Sequence, residues 1–137
     1  MADALGNFKS LVKRIHLFIK EQGLPFKKDG FTLRWIDEST TPKIAKIVNF
    51  QRSMYGTKDC ISFTINLGLL KEYSDRPISP KLKDWECPIR KRPASWTKKY
   101  PCDKWWDVTE TTDMELLYQE LCDLTTESII PFFANNQ

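Results

Sequence analysis

From Ile61 to Leu69 the chain alternates without a slip. Ile61, Phe63, Ile65, Leu67 and Leu69 are apolar, and Ser62, Thr64, Asn66 and Gly68 between them are small or polar. Side chains on a strand point alternately to opposite faces, so this segment demands a sheet with one face buried and one left to polar groups. Such a sheet is antiparallel by preference and needs a cover for its apolar side.

Two earlier segments carry the same period. In Ile44 to Ser53, the residues Ile44, Lys46, Val48 and Phe50 share one parity, and Ala45, Ile47, Asn49 and Gln51 the other. Phe31, Leu33 and Trp35 alternate with Thr32, Arg34 and Ile36. The polar loop Asp37 to Lys43 and the turn Tyr55-Gly56-Thr57-Lys58-Asp59 join these runs, and connections this short favour antiparallel hairpins. Lys27-Lys28-Asp29-Gly30 reads as a turn, and Glu72 to Lys83, with Pro77 and Pro80, as a loop. A fourth strand around Pro88 to Trp96 belongs at a sheet edge, because Pro88 and Pro93 have no N–H to give to a ladder.

The cover comes from the two ends. Leu5, Phe8, Leu11, Val12, Ile15, Phe18 and Ile19 recur at helical spacing within Asp3 to Gln22, and Gly23 and Pro25 stop that helix. A second helix starts at the capping-box pattern Thr112-x-x-Glu115 and carries Met114, Leu117, Leu121, Leu124 and Ser128 on one face; Pro131 ends or kinks it. The expected fold is therefore a single α+β domain over residues 1–137: a mostly antiparallel three- to four-stranded sheet with the N-terminal and C-terminal helices packed on its apolar face. A hydrophobic fraction of 41% is enough for that core.

Several kinds of chemistry find no support. His16 is the one histidine, and it reads as a helix-surface or core-edge residue. The cysteines Cys60, Cys87, Cys102 and Cys122 form no CxxC pair, and free thiols are expected. No G-x-S-x-G, Walker, GxGxxG or HExxH pattern occurs, so neither a cofactor nor a metal site is expected. Asp107, Glu110, Asp113 and Glu115 crowd the entry of the last helix, where capping accounts for acidic residues without catalysis. The start, MADALGNFKS, lacks the pattern of a secretory signal, and no apolar run is long enough to span a bilayer; a cytoplasmic protein without a membrane partner is expected.

Attention then falls on the polar side of the sheet. By parity it carries Arg34, Asn49, Gln51, Thr64 and Asn66, with Arg90 and Arg92 sharing a parity on the fourth strand. Asn and Gln suit mid-strand positions poorly. Their presence fits a solvated face, a hydrogen-bond network under a folded-over loop from Trp85 to Trp106, or a groove in which arginines bind a polar or anionic ligand. The formal charge of +3 is a weak bias, yet basic residues gather between Lys81 and Lys104 with Trp85, Trp96 and Tyr100 among them. Trp105-Trp106 reads either as a pin for that loop or as part of a binding platform.

The ordered strings Gly30-Phe31 with Arg34, Val48-Asn49-Phe50-Gln51-x-Ser53, Phe63-Thr64-Ile65-Asn66-Leu67-Gly68, Ile89-Arg90 with Arg92, and Trp105-Trp106 resemble the bacterial domain of unknown function family 4304, from about Leu11 to Phe133. Members of that family often carry Cys-His where this chain has Cys87-Pro88, so no histidine-dependent role transfers. The resemblance implies no assigned activity. By analogy of class, small domains of this kind include immunity proteins that neutralise secreted or contact-delivered toxins.

The leading expectation is thus a non-enzymatic protein that binds a protein partner, an immunity-type protein occluding a toxin. Its candidate binding residues are Arg34, Asn49, Gln51, Asn66, Arg90, Arg92, Trp105 and Trp106. Two alternatives stay open: RNA or single-stranded nucleic-acid binding through residues 81–106, and an enzyme acting on a small polar or anionic substrate at the open sheet face.

Overall fold

A computed structural model describes residues 3–72, 77–93 and 103–135. The order of elements is α1 (Ala4–Glu21), β1 (Lys27–Asp29), β2 (Thr32–Asp37), β3 (Ile44–Arg52), β4 (Ile61–Lys71), β5 (Ile89–Lys91), β6 (Trp106–Val108), α2 (Met114–Leu124) and α3 (Ile130–Asn135). All strand pairings are antiparallel. The order across the sheet is β1-β2-β3-β4-β5, and β6 shares the far edge of β4 with β5.

The three long strands lie where the alternation put them, with Asn49 opposite Asn66 and Val48 opposite Leu67 in the β3–β4 register. The sheet has more strands than expected, six among the described residues. Lys27 to Asp29 is a strand and not a turn: Gly30, at φ 62°, makes the reversal, and Asp29 pairs with Thr32 across it. A positive φ is free of side-chain strain only at glycine, so the hairpin closes there. The strand's exposed polar residues hid it, since an edge strand needs no apolar face. β5 lies within the expected Pro88 to Trp96 stretch but is only three residues long. The part of that stretch beyond Pro93, including Trp96, lies outside the described residues.

The helices and the apolar sheet face enclose the main core. Phe8 of α1 sits between Phe31 and Phe63, with ring centroids 4.9 and 5.0 Å away. Leu11, Ile15 and Ile19 of α1 pack with Val48, Ile65 and Leu67 of the sheet and with Leu121, Phe132 and Phe133 from the C-terminal helices. Each such side chain contributes about 1.5–3 kcal/mol on burial.

Lys46 interrupts the apolar parity of β3 and is 1% exposed. Its Nζ lies 3.1 Å from Asp37 Oδ2 and 4.1 Å from the centre of the Trp35 ring. Asp37 also accepts from the backbone N–H and the hydroxyl of Ser39, at 3.0 and 2.5 Å. The Ser39 bonds, with Lys46 behind them, hold the Asp37 carboxyl below its ordinary pKa against the opposing effect of burial.

Helix ends differ in detail from expectation. Asp3 caps α1 by accepting from Gly6 N–H at 2.7 Å. At α2 the cap is Asp113, an acidic residue suited to a helix N-terminus, and not Thr112 of the capping-box pattern: its Oδ1 accepts from Leu116 N–H at 3.1 Å. Thr112 instead accepts from Thr109 N–H, and Glu115 meets Arg14 of α1 with both oxygens, at 2.9 and 3.2 Å. Pro131 does not end the helical run. A wide π-turn over Thr125–Ile129 joins α2 to α3, with Ile130 N–H bonded to Thr125 O. Such a turn re-routes the ladder where a proline ring would meet the carbonyl four residues earlier.

Candidate functional site

The second face of the sheet is not uniformly open. Over one end, residues 77–87 fold back, and Ile78, Leu82 and Cys87 meet Ile36, Ala45, Ile47 and Leu70 in a second small core. Gly68 permits this approach. A Cβ there would stand 2.8 Å from Cys87 Sγ and 3.3 Å from the Cα of Asp84. Burial, reinforced by the nearby Asp84 and Glu86 carboxylates, pushes the Cys87 thiol up to about 12. A thiol in that state is a packing group and not a nucleophile at neutral pH.

Arg34 belongs to this covered end. It is 8% exposed, and its Nε donates to Leu82 O at 2.8 Å. It is therefore set apart from the other polar residues of its face.

The other end carries a ladder of amides. Asn49 Nδ2 donates to Thr32 Oγ1 at 3.0 Å. Asn66 Nδ2 donates to Gln51 Oε1 at 2.7 Å and to Asn49 Oδ1 at 3.3 Å. Asn66 Oδ1 in turn accepts from Arg92 Nε at 3.0 Å, and Arg92 Nη1 reaches Asp103 Oδ2 at 2.7 Å. The Arg92 guanidinium lies 5.4 Å from the centre of the Trp105 ring. The mid-strand amides thus serve first to orient one another and then to aim an arginine.

Around this ladder lies a cleft of about 520 Å³, lined by Gln51, Asn66, Trp85, Arg90, Arg92 and Asp103 among others. Gln51 also lines a neighbouring depression with Met54, Tyr55, Ser62 and Trp105. The result is a continuous strip from Trp85 to Tyr55. Trp85 is 67% exposed, Met54 85% and Tyr55 89%. Arg90 is fixed at one side by donating to Trp85 O at 3.2 Å. Asp84 lines the same cleft, and burial raises its pKa against the pull of its own and Trp85's backbone amides and of Arg90.

The tryptophan pair splits. Trp106 pairs with Phe63 in the β4–β6 register and stacks on it at 5.5 Å, inside the main core. Its Nε1 donates to Glu120 of α2. Strand alternation sends Trp105 to the other side, where it borders the strip. Of the eight candidates, the fold brings together Asn49, Gln51, Asn66, Arg90, Arg92 and Trp105. It leaves Arg34 under Leu82 and Trp106 among the helices, so neither borders the strip. Trp96, Tyr100 and Cys102 lie outside the described residues.

Sequence reasoning assigns no role to Met54 or Asp103 and reads Tyr55 only as a turn residue. Two large side chains within a turn too short to bury them were the available signal. Three of the four acidic residues at the entry of α2 are taken up structurally: Asp113 as a cap, Glu115 by Arg14, and Asp107 by the Ser62 hydroxyl. His16 Nε2 meets Phe26 O at 2.7 Å. Cys60, Cys87 and Cys122 are free thiols. Among the described residues no three His, Cys, Asp or Glu side chains are grouped to hold a metal, and no helix is long and apolar enough to cross a membrane.

The family model described as a domain of unknown function, DUF4304, matches residues 22–135, which takes in the whole sheet and both C-terminal helices and leaves α1 outside. No curated protein and no solved structure matches the chain.

Proposed function

The chain belongs to the DUF4304 family, and we propose that it is a non-enzymatic binding protein which occludes a protein partner with the strip from Trp85 to Tyr55. In its sharpest form this is an immunity-type protein that neutralises a cognate secreted or contact-delivered toxin in the cytoplasm. The observation that carries the reading is the pre-ordered Arg92, held by Asn66 and Asp103 between exposed aromatic side chains. Trp, Tyr and Arg are the residues that dominate binding energy at protein interfaces. An arginine already fixed in place loses little further freedom when a partner docks. Arg90 and Arg92 suit an acidic patch on that partner, with Trp85 and Tyr55 as apolar anchors at either end.

The test is a binding measurement against the product of a toxin gene neighbouring this one. A one-to-one complex that survives moderate salt and is weakened by about tenfold or more in Trp85→Ala or Arg92→Ala supports the reading. A complex indifferent to both substitutions, or none at all, overturns it.

A second reading draws on the same strip: Trp85 and Trp105 beside Arg90 and Arg92 could stack and neutralise a single-stranded nucleic acid. Retention of RNA that falls steeply as salt rises, without a protein partner, would favour it. The Asp84 carboxyl, raised in pKa by burial and lining the cleft, favours an enzyme on a small polar substrate.

A further inference from the structure

We infer that the opposite edge of the sheet carries a separate site, which takes a small organic carboxylate on Arg34 and Lys27. The two residues are register partners across β1 and β2, so two cations stand directly opposite each other on one face. Like charges in that position repel unless an anion lies between them. Arg34 is more than nine-tenths buried, and its Nη2 has no hydrogen-bond partner. Its Nε is engaged by Leu82 O. Its Nη1 lies 3.4 Å from Asp29 Oδ2, an oxygen that Lys81 Nζ also approaches at 3.6 Å. A single carboxylate therefore serves more cations than it can neutralise.

A buried guanidinium N–H without an acceptor is costly, and native proteins satisfy such groups with water, an ion or a ligand. Nη2 has no surface open to solvent as the side chain stands, and the space for an anion lies beside it, reached by a turn of the guanidinium. A cavity of about 510 Å³ is lined by Arg34 and Lys27 together with Pro25, Ile36, Glu38 and Pro80. Glu38 does not supply the missing charge, since it pairs with Lys43 at 3.7 Å. The planar guanidinium matches a carboxylate, and Pro25, Ile36 and Pro80 offer apolar walls for the body attached to it. That combination selects an organic acid over a bare inorganic anion. The site lies on the β1 side of the sheet, whereas the Trp85-to-Tyr55 strip lies on the β4–β5 side, so the two stand or fall separately.

The experiment is an amide-resolved NMR titration of the full chain with benzoate, with neutral benzamide and with inorganic phosphate, each at constant ionic strength. Benzoate is expected to shift the amides of Lys27, Arg34 and Ile36 saturably while those around Asn66 stay still; benzamide is expected to do neither. Lys27→Glu is expected to weaken benzoate by about tenfold or more. Lys27 is exposed, so this reversal leaves the core in place even where Arg34→Gln fails to fold. No saturable shift, equal binding of benzamide, or unchanged affinity in Lys27→Glu overturns the site. Phosphate matching benzoate identifies an adventitious ion only and overturns it equally.

Discussion

Asn66 Oδ1 accepts a hydrogen bond from Arg92 Nε at 3.0 Å, one residue beyond the last paired position of β5. This bond ties the middle of the longest strand to the side chain that leads the proposed binding strip. Asn66→Ala removes an orienter of Arg92 and leaves Gln51 Oε1 without that amide. The expected loss of stability is about 1–2 kcal/mol by urea denaturation, with a larger fractional loss of partner affinity than stability alone explains. Unchanged affinity would place Arg92 outside the interface.

Gly68 and Cys87 form a second close relationship, since a Cβ on the glycine would meet Sγ at 2.8 Å. Gly68→Ala is expected to destabilise by about 1–3 kcal/mol through overpacking. Cys87→Ala in the same chain relieves that clash, so the double variant is expected to lose less than the sum of the two singles. Strict additivity in a denaturant cycle would show that the covering segment yields elsewhere.

The buried Lys46–Asp37 pair sets a pH dependence. The Asp37 carboxyl has a folded-state pKa below its unfolded value, chiefly through Ser39 and then Lys46. Its contribution to stability is therefore fully present above the unfolded pKa, about 3.9, and is lost as pH falls through the lower folded value. Ser39→Ala is expected to shrink that acid-dependent loss, measured as the change in unfolding midpoint between pH 6 and pH 3. Lys46→Met alone is expected to cost about 3–5 kcal/mol, because it strands a buried carboxylate; Lys46→Met with Asp37→Asn is expected to recover part of it.

The two adjacent tryptophans separate stability from binding. Trp106→Ala opens a cavity beside Phe63 and is expected to cost about 3–5 kcal/mol. Trp105→Ala, at the border of the strip, is expected to change the melting temperature little and partner affinity more. A thermal melt and a binding isotherm on both variants check the pair, and the reverse ranking would contradict the placement of the two side chains.

Periodicity alone was enough for the three long strands, their register of faces and the helix at each end. Burial acts through the nearest neighbours on a face, so a period of two or of three to four residues records it directly. That is why Ile61 to Leu69 read true, and why Asn49, Gln51 and Asn66 could be placed on one face. Tertiary structure decided the rest. Lys27 to Asp29 and Trp106 to Val108 are strands because an edge of β2 and an edge of β4 are there to receive them, not through any pattern of their own. Arg34 is buried because Leu82, 48 residues away, lies over it. Arg92 is aimed by Asn66 from 26 residues away, and Trp106 turns inward because Phe63 is its register partner. Such contacts join distant segments, and only the closed sheet brings their ends within hydrogen-bonding and packing distance.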